Sequence, residues 1–369
     1  MKVALVHDYL TQYGGAERVL EELAYMFPHA PIYTLIYDER LSGRAFADRD
    51  VRTSFLQRIP GVASSYRFAL AAMPLAVERF DLSEFDVVVS SSASFAKGVI
   101  TRPDTLHVCY CHTPLRYAWV DYKKIAGASL YPKGMHRIIP AMLPYIRMWD
   151  RQASQRPDSY LANSNFVAQK IKKFYGRESR VVYPPLHLEK FSVADAVEDY
   201  FLIVGRMWPY KRFDLAIDAF NELGVPLKVI GTGPELKHLK NRARGNIEFL
   251  GLVSEAHLAE HLSRAQALIF PQEEDFGITA LESMASGRPV IAYGSGGALE
   301  SVQEGVSGVF FHEQTPHALA QAVRSFQKRS FSPHEVRESV TRFDRIHFRQ
   351  GILEEIERVR SEHTRHVLI

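Results

Sequence analysis

Along the second half of the chain, short apolar runs alternate with stretches whose apolar residues recur every three or four positions. The runs are YFLIVG (200–205), LKVIG (227–231), IEFLG (247–251), ALIFP (267–271), PVIAY (289–293) and GVFF (308–311). Between them lie DLAIDAFNEL (214–223), PELKHLKNRA (234–243), EAHLAEHLSRA (255–265), ITALESMAS (278–286), ALESVQE (298–304) and PHALAQAVRSFQKR (316–329). Strand then helix, repeated at this spacing, predicts a parallel sheet covered on both faces. Asp214 and Ser254 are placed to cap two of these helices, and Gly287 followed by Pro289 reads as a helix stop.

The first half repeats the theme less regularly. KVALV (2–6), PIYTLIY (31–37), VVVSS (87–91), LHVCYC (106–111), SYLANS (159–164) and RVVYPP (180–185) read as strands, with long interruptions at 60–80 and 123–156. A boundary is expected within 184–199, before the second series begins. The last helical pattern, 349–364, carries Ile352, Ile356 and Val359 at helical spacing and no strand follows it. The fold class is therefore α/β, with two Rossmann-like parallel-sheet domains facing a cleft. A chain of 369 residues is long enough for two cores. In open parallel sheets ligands bind beyond the C-terminal strand ends, so chemistry is sought just after each strand.

Composition narrows the class. Hydrophobic content of 46% and charged content of 24% are those of an ordinary globular protein. MKVALVHDYL has too short an apolar run before His7 and Asp8 to read as a signal peptide. No stretch approaches the ~18 apolar residues of a membrane span. Cys109 and Cys111 are the two cysteines, too few for a structural zinc site, and are expected to be buried thiols. The net charge of +3 hides an asymmetry: residues 1–185 hold 24 Lys and Arg against 17 Asp and Glu, the remainder 21 against 25. The basic half should favour anionic surfaces or substrates.

Several post-strand segments carry candidate chemistry. GRMWPYKRFDLAI places Arg206 and Lys211 on a loop that enters a helix, a cradle for a diphosphate or a solvated basic loop. EEDFGITALE (273–282) places Glu274 before a helix opened by Gly277 and Glu282 about one turn inside it. Two carboxylates so placed project to different points, whereas a glycoside hydrolase needs both flanking one bond at ~5–10 Å. The alternative is a pair of helix-surface glutamates. GSGG (294–297) and GTGPE (231–235) are either turns or sites of close ligand approach. In the first half Gly14 and Gly15 open a helix, a second possible oxyanion contact. His112 leaves a strand end in CHTPLRYAW (111–119), its loop fixed by Pro114, and Ser164 or Asn163 caps the next helix. Asp48-Arg49-Asp50 matches a metal-binding D-x-D but sits in a polar stretch that reads as a surface turn.

Taken jointly, the N-terminal Gly14–Gly15, His112, the Arg206/Lys211 loop, Glu274-x7-Glu282 and the glycines that follow resemble the family-4 retaining glycosyltransferases of GT-B fold. The likeness spans nearly the whole chain and is strongest over 200–305. HTPLRYAW also resembles bacterial mannosyltransferases that build lipopolysaccharide and capsule. The resemblance implies an acceptor-binding domain of residues 1–185 with a returning helix at about 349–369, and a nucleotide-sugar domain of residues 186–348. It implies that Arg206 and Lys211 hold the donor diphosphate, Glu274 the sugar hydroxyls and Glu282 the ribose. It places Gly205 and backbone groups of Phe276, Gly277, Ile278 and Thr279 on the donor, and Val253 by its base. His112 would approach the sugar near the reacting carbon, and Gly14 and Gly15 would leave room for phosphate and acceptor. No metal and no cofactor beyond the nucleotide-sugar co-substrate is expected.

The implied reaction is transfer of a hexose, mannose from GDP-mannose, to a lipid-linked glycan at the cytoplasmic face of the inner membrane. Residues 133–156, with five Lys/Arg and one Asp among Ile138, Ile139, Met142, Leu143, Ile146, Met148 and Trp149, fit peripheral binding to an anionic membrane, and Lys170, Lys172, Lys173, Arg177 and Arg180 extend the basic surface. A core helix with a solvated basic face fits equally, and Pro140 and Pro144 are expected to break the helix. Nucleic acid is not an expected partner. Still open are a UDP-hexose donor, a nucleotide-sugar epimerase or phosphorylase of the same fold, and a non-catalytic nucleotide- or glycan-binding subunit.

Overall fold

The computed structural model describes residues 1–120 and 135–367. The chain divides into two units, residues 1–185 together with the segment from Ile346 onward, and residues 186–345.

The first unit is built on seven parallel strands: β1 (Val3–His7), β2 (Ile32–Thr34), β3 (Val51–Thr53), β4 (Val87–Ser92), β5 (Leu106–Cys111), β6 (Ser159–Ala162) and β7 (Arg180–Val181), in the order β3-β2-β1-β4-β5-β6-β7. Every residue of β4 and β5 is buried, as a sheet covered on both faces requires. Alternation along β4 sends Val87 and Val89 to one core and Val88 to the other. Cys109 and Cys111 are buried free thiols on β5. Strand β3 escapes the hydrophobic pattern because it is a three-residue edge strand whose Arg52 and Thr53 are exposed. Asp50, just before it, accepts from Arg52 at 3.0 Å.

The helix Arg345–Val367 begins four residues before the expected start and packs on this sheet. Phe348, Ile352, Ile356 and Val359 join the core of Val87 and Val89, with Phe348 edge-on to Tyr110 at 5.4 Å. Arg349 pairs with the buried Glu22, and Glu354 with Arg180 at 2.5 Å.

The opposite face is closed by the helix Met135–Ala153, which sets Trp149 against Phe95 at 5.3 Å. It runs unbroken through Pro140 and Pro144, contrary to the expectation of a break. Pro144 lies on the exposed side, where water can meet the carbonyl that it leaves unbonded. Asp150 of this helix is buried and meets the buried Lys97 ammonium at 2.5 Å; it also accepts from Trp119 Nε1 at 2.7 Å. The Tyr175 ring lies 5.3 Å from the ammonium.

The second unit holds β8 (Phe201–Val204), β9 (Leu227–Ile230), β10 (Ile247–Gly251), β11 (Leu268–Phe270), β12 (Val290–Tyr293) and β13 (Gly308–Phe311), in the order β10-β9-β8-β11-β12-β13, all parallel. The strands and intervening helices fall where the periodicity places them. Ser254 caps its helix as expected. Asp214 does not: the cap position is Arg212, with φ 54°, and Asp214 sits in the first turn, 3.2 Å from the Arg212 guanidinium. The short helix Pro333–Glu338 was not anticipated. No helix among the described residues is long and apolar enough to cross a membrane.

Both sheets share one feature that positions a site. Chain order reverses between β1 and β4 in the first unit and between β8 and β11 in the second. Such switch points leave a crevice beyond the strand ends.

The Lys97–Asp150 pair yields a stability prediction. Asp150→Ala leaves a buried ammonium without its counter-charge and is expected to cost about 3–5 kcal/mol. Denaturant unfolding followed by tryptophan fluorescence measures it; a loss below about 1 kcal/mol, the scale of an exposed pair, would show that Lys97 does not depend on Asp150.

Candidate functional site

In the second unit, the loops after β8 and β11 meet. Gly205 follows β8 and is succeeded by Arg206, exposed, and by the short turn Pro209–Lys211. Lys211 Nζ contacts Glu274 Oε1 directly, and Gln272 Nε2 lies 3.4 Å from the same oxygen. The side chains of Lys211 and Glu274 are 19% and 15% exposed, so the pair is shielded yet reachable. Two groups separated by 63 positions are thus brought together at the switch point.

The helix Ile278–Ala285 follows. Gly277 caps it at φ 96°, and a Cβ there would lie 2.6 Å from Phe270 Cζ, so glycine is required on both counts. Phe276 turns its side chain into the core, edge-on to Phe343 at 5.6 Å. Ile278 and Thr279 form the first turn, where backbone N–H groups have no partner within the helix. Glu282 is one turn further on and buried. Glu274 and Glu282 therefore occupy different environments, one against a lysine and one inside a helix.

The glycines of 294–297 let two loops pack closely. Gly297 N donates to Glu274 O at 2.9 Å, and a Cβ on Gly297 would sit 2.4 Å from Phe276 Cα. The close approach is between two backbones, and it fixes the Glu274 loop. The GTG turn packs in the same way on Gly205, whose carbonyl oxygen lies 1.9 Å from where a Gly231 Cβ would be. Val253, half-buried, follows the end of β10 beside the exposed Leu252.

In the first unit, Gly14 and Gly15 open the helix Gly15–Met26 beyond β1. The Gly14 N–H is already engaged, donating to Glu17 Oε2 at 2.8 Å, the half of a capping box that a glycine cap can form. An anion at this helix end would meet later N–H groups, with Glu17 beside it. His112 leaves β5, its carbonyl held by Asn163 Nδ2 at 2.9 Å, while Ser164 caps the next helix. Its ring Nε2 lies 2.8 Å from Ser91 Oγ at the end of β4, and Ser91 Oγ lies 3.1 Å from His7 Nδ1 at the end of β1. His7 Nε2 faces Glu17 Oε1 at 3.8 Å.

These four residues are buried. Burial pushes the His112 pKa down to about 3, and His7 adds to the effect. Burial alone would raise the Glu17 carboxyl, but the His7 ring facing it and the hydrogen bonds it accepts hold it below the usual carboxylate range.

His7, Ser91 and Glu17 were missed in the sequence. A signal existed: β1 and β4 are apolar runs that end on polar residues, and Gly14-x-x-Glu17 has capping-box spacing. Among the described residues no group of three or more His, Cys, Asp or Glu is arranged to hold a metal. What the second unit offers is cations, a helix N-terminus and a hydroxyl-accepting carboxylate, a set suited to a phosphorylated sugar.

Residues 13–190 match the family described as Glycosyltransferase Family 4, and residues 198–328 the family described as glycosyl transferases group 1. The chain is 31% identical over 213 residues to a D-inositol 3-phosphate glycosyltransferase of Geodermatophilus obscurus, covering 48% of this chain and 47% of that one. It is 24% identical to the O-antigen chain mannosyltransferase C of Escherichia coli over 86% of this chain and 87% of that one. The chain spans about half the length of the first curated relatives it matches. Among solved structures, Anabaena HepE in complex with UDP and glucose superposes with a TM-score of 0.69 at 19% identity, over 97% of this chain and 99% of that one. At that identity the likeness is one of fold.

Proposed function

We propose that this chain, which belongs to the group 1 and family 4 glycosyltransferases, transfers a mannosyl residue from GDP-mannose to a lipid-linked glycan with retention of configuration. The contact between Lys211 and Glu274 beyond β8 and β11 carries the reading. One group suits a diphosphate and the other a sugar hydroxyl. Mannose is supported by the likeness to the O-antigen mannosyltransferase and by HTPLRYAW.

In this reading the bond from the anomeric carbon to the phosphate oxygen breaks with its electron pair going to the diphosphate. The acceptor hydroxyl attacks from the same face and passes its proton to the departing phosphate. Arg206, Lys211 and the N-terminus of the Ile278–Ala285 helix stabilise charge where it develops. These fixed positive groups take the part a divalent metal would otherwise play. Glu274 orients the sugar, Glu282 the ribose and Val253 the base. Gly205, Phe276, Gly277, Ile278 and Thr279 supply donor-facing backbone. His112 is assigned to the transferred sugar, and Gly14 and Gly15 to the phosphate and acceptor.

Membrane contact is part of the proposal. The helix Met135–Ala153 buries Leu143, Ile146 and Trp149 but exposes Tyr145 and Met148. Arg151 runs beside Gly176, at the end of the helix bearing Lys170, Lys172 and Lys173. Arg177 and Arg180 are engaged instead with backbone carbonyls and Glu354. Lys133, and the side chains of Arg137, Ile138 and Ile139, lie outside the described residues. In this reading the enzyme works at the cytoplasmic face of the inner membrane, which the exposed Tyr145 and Met148 and the neighbouring lysines support.

Calorimetric titration with GDP, UDP and ADP tests the donor. Binding of GDP alone is expected; a preference for UDP would replace the donor, and binding of none would remove the enzymatic reading. Lys211→Ala and Glu274→Ala are each expected to lower kcat by about 10²–10³-fold, the scale of losing one preorganised transition-state contact. Near-normal turnover by either variant would sink its assignment. Flotation with vesicles containing phosphatidylglycerol should carry the protein upward; recovery equal to that with phosphatidylcholine alone would discard the membrane contact.

A further inference from the structure

The first unit contains a line of buried polar groups of which the proposed chemistry uses only the last, His112. It runs Glu17, His7, Ser91, His112, over strands β1, β4 and β5 and the helix after β1. A serine hydroxyl has one proton. Held between two imidazole nitrogens, it donates to one ring and accepts from the other. With both rings neutral, the protonated nitrogen of one histidine is therefore dictated by the protonated nitrogen of the other.

We propose that Glu17 acts through His7 and Ser91 to fix His112 as the tautomer protonated at Nε2 and bare at Nδ1. The direction follows from the charge at one end. The 3.8 Å from Glu17 Oε1 to His7 Nε2 is longer than a hydrogen bond, but at that separation a carboxylate favours an N–H facing it. His7 is then bare at Nδ1 and accepts the Ser91 hydroxyl. The Ser91 oxygen, its proton committed, accepts from His112 Nε2–H at 2.8 Å. His112 is left with a lone pair at Nδ1, a hydrogen-bond acceptor for a ligand O–H.

Glu17 is itself held in place. Gly14 N–H donates to Oε2 at 2.8 Å and Gln12 Nε2 to Oε1 at 3.1 Å. The glycine turn after β1 and the histidine after β5 are thus coupled through one carboxylate. Glu17, His7 and Ser91 are positioning residues. That His112 Nδ1 meets a sugar hydroxyl rests on the function proposed above; the tautomer itself does not.

The test reads the tautomer directly. Long-range 1H–15N spectra of the full-length protein labelled at histidine, with His112 assigned by its loss in His112→Gln, are expected to show Nε2 protonated and Nδ1 bare. A protonated Nδ1 in the wild type would overturn the relay. Glu17→Gln provides the second arm. With its amide oxygen taken by Gly14 N–H, its NH2 faces His7 Nε2, and every donor along the line reverses. The proton on His112 should move from Nε2 to Nδ1, and adding Ser91→Ala should abolish that response. An unchanged His112 in Glu17→Gln, or a response that survives Ser91→Ala, would refute the coupling. Turnover separates the two proposals. If the tautomer reverses and kcat falls about tenfold, the loss of one hydrogen bond, both stand. Reversal with unaltered kcat would keep the relay and remove His112 from the transferred sugar.

Discussion

The strand order within each sheet is the constraint from which the rest follows. A parallel strand leaves the sheet at its C-terminal end, and its helix must return over one face or the other. Where chain order reverses, adjacent strands send their helices to opposite faces and a crevice opens between the loops. In the second unit that point lies between β8 and β11, and it is where Lys211 and Glu274 meet. In the first unit it lies between β1 and β4, whose last residues are His7 and a serine neighbouring Ser91. Polar groups gather there because the strand ends are the places where a buried sheet first gives out.

Holding such loops still is a backbone problem, and glycine solves it by absence. The Glu274 loop is clamped by Gly297 on one side and turned by Gly277 on the other. At neither position is there space for a methyl group. The gain is rigidity at a carboxylate that, in the proposed reaction, must be aimed before the donor arrives. A glycine pattern after a strand therefore reports close approach without saying what approaches. Here loops approach one another.

That ambiguity shows what was legible in the chain. The six strands of the second unit could be read because each is a short apolar run bounded by polar helices. The three-residue β3 could not, since an exposed edge strand with Arg52 in its centre has no hydrophobic signature. The helix through Pro140 and Pro144 was misjudged because proline's cost depends on whether the freed carbonyl meets water, and that depends on which side faces out. Post-strand placement was enough to nominate Lys211, Glu274 and His112. It could not find the line from Glu17 to His112, whose members lie between His7 and His112 and are joined by strand pairing and by the helix after β1. His7 and Ser91 are register partners across β1 and β4, a relation that is set by the sheet and not by any local pattern.

The Lys211–Glu274 pair has a further consequence for the proposed donor complex. Each group currently neutralises the other in a partly shielded place. A diphosphate entering beside Lys211 brings more negative charge than one carboxylate and draws the ammonium to itself. Glu274 then loses its counter-ion at the moment a sugar hydroxyl becomes available to donate to it. The ion pair thus spares the empty site an uncompensated charge on either side. Its exchange for two ligand contacts is complete only with both ends of the donor present, since a diphosphate without a sugar leaves Glu274 unpaired; free GDP is therefore expected to bind, but less tightly than the nucleotide sugar. Discrimination between a free nucleotide and a nucleotide sugar can in this way be built from two side chains and the strand order that brings them together.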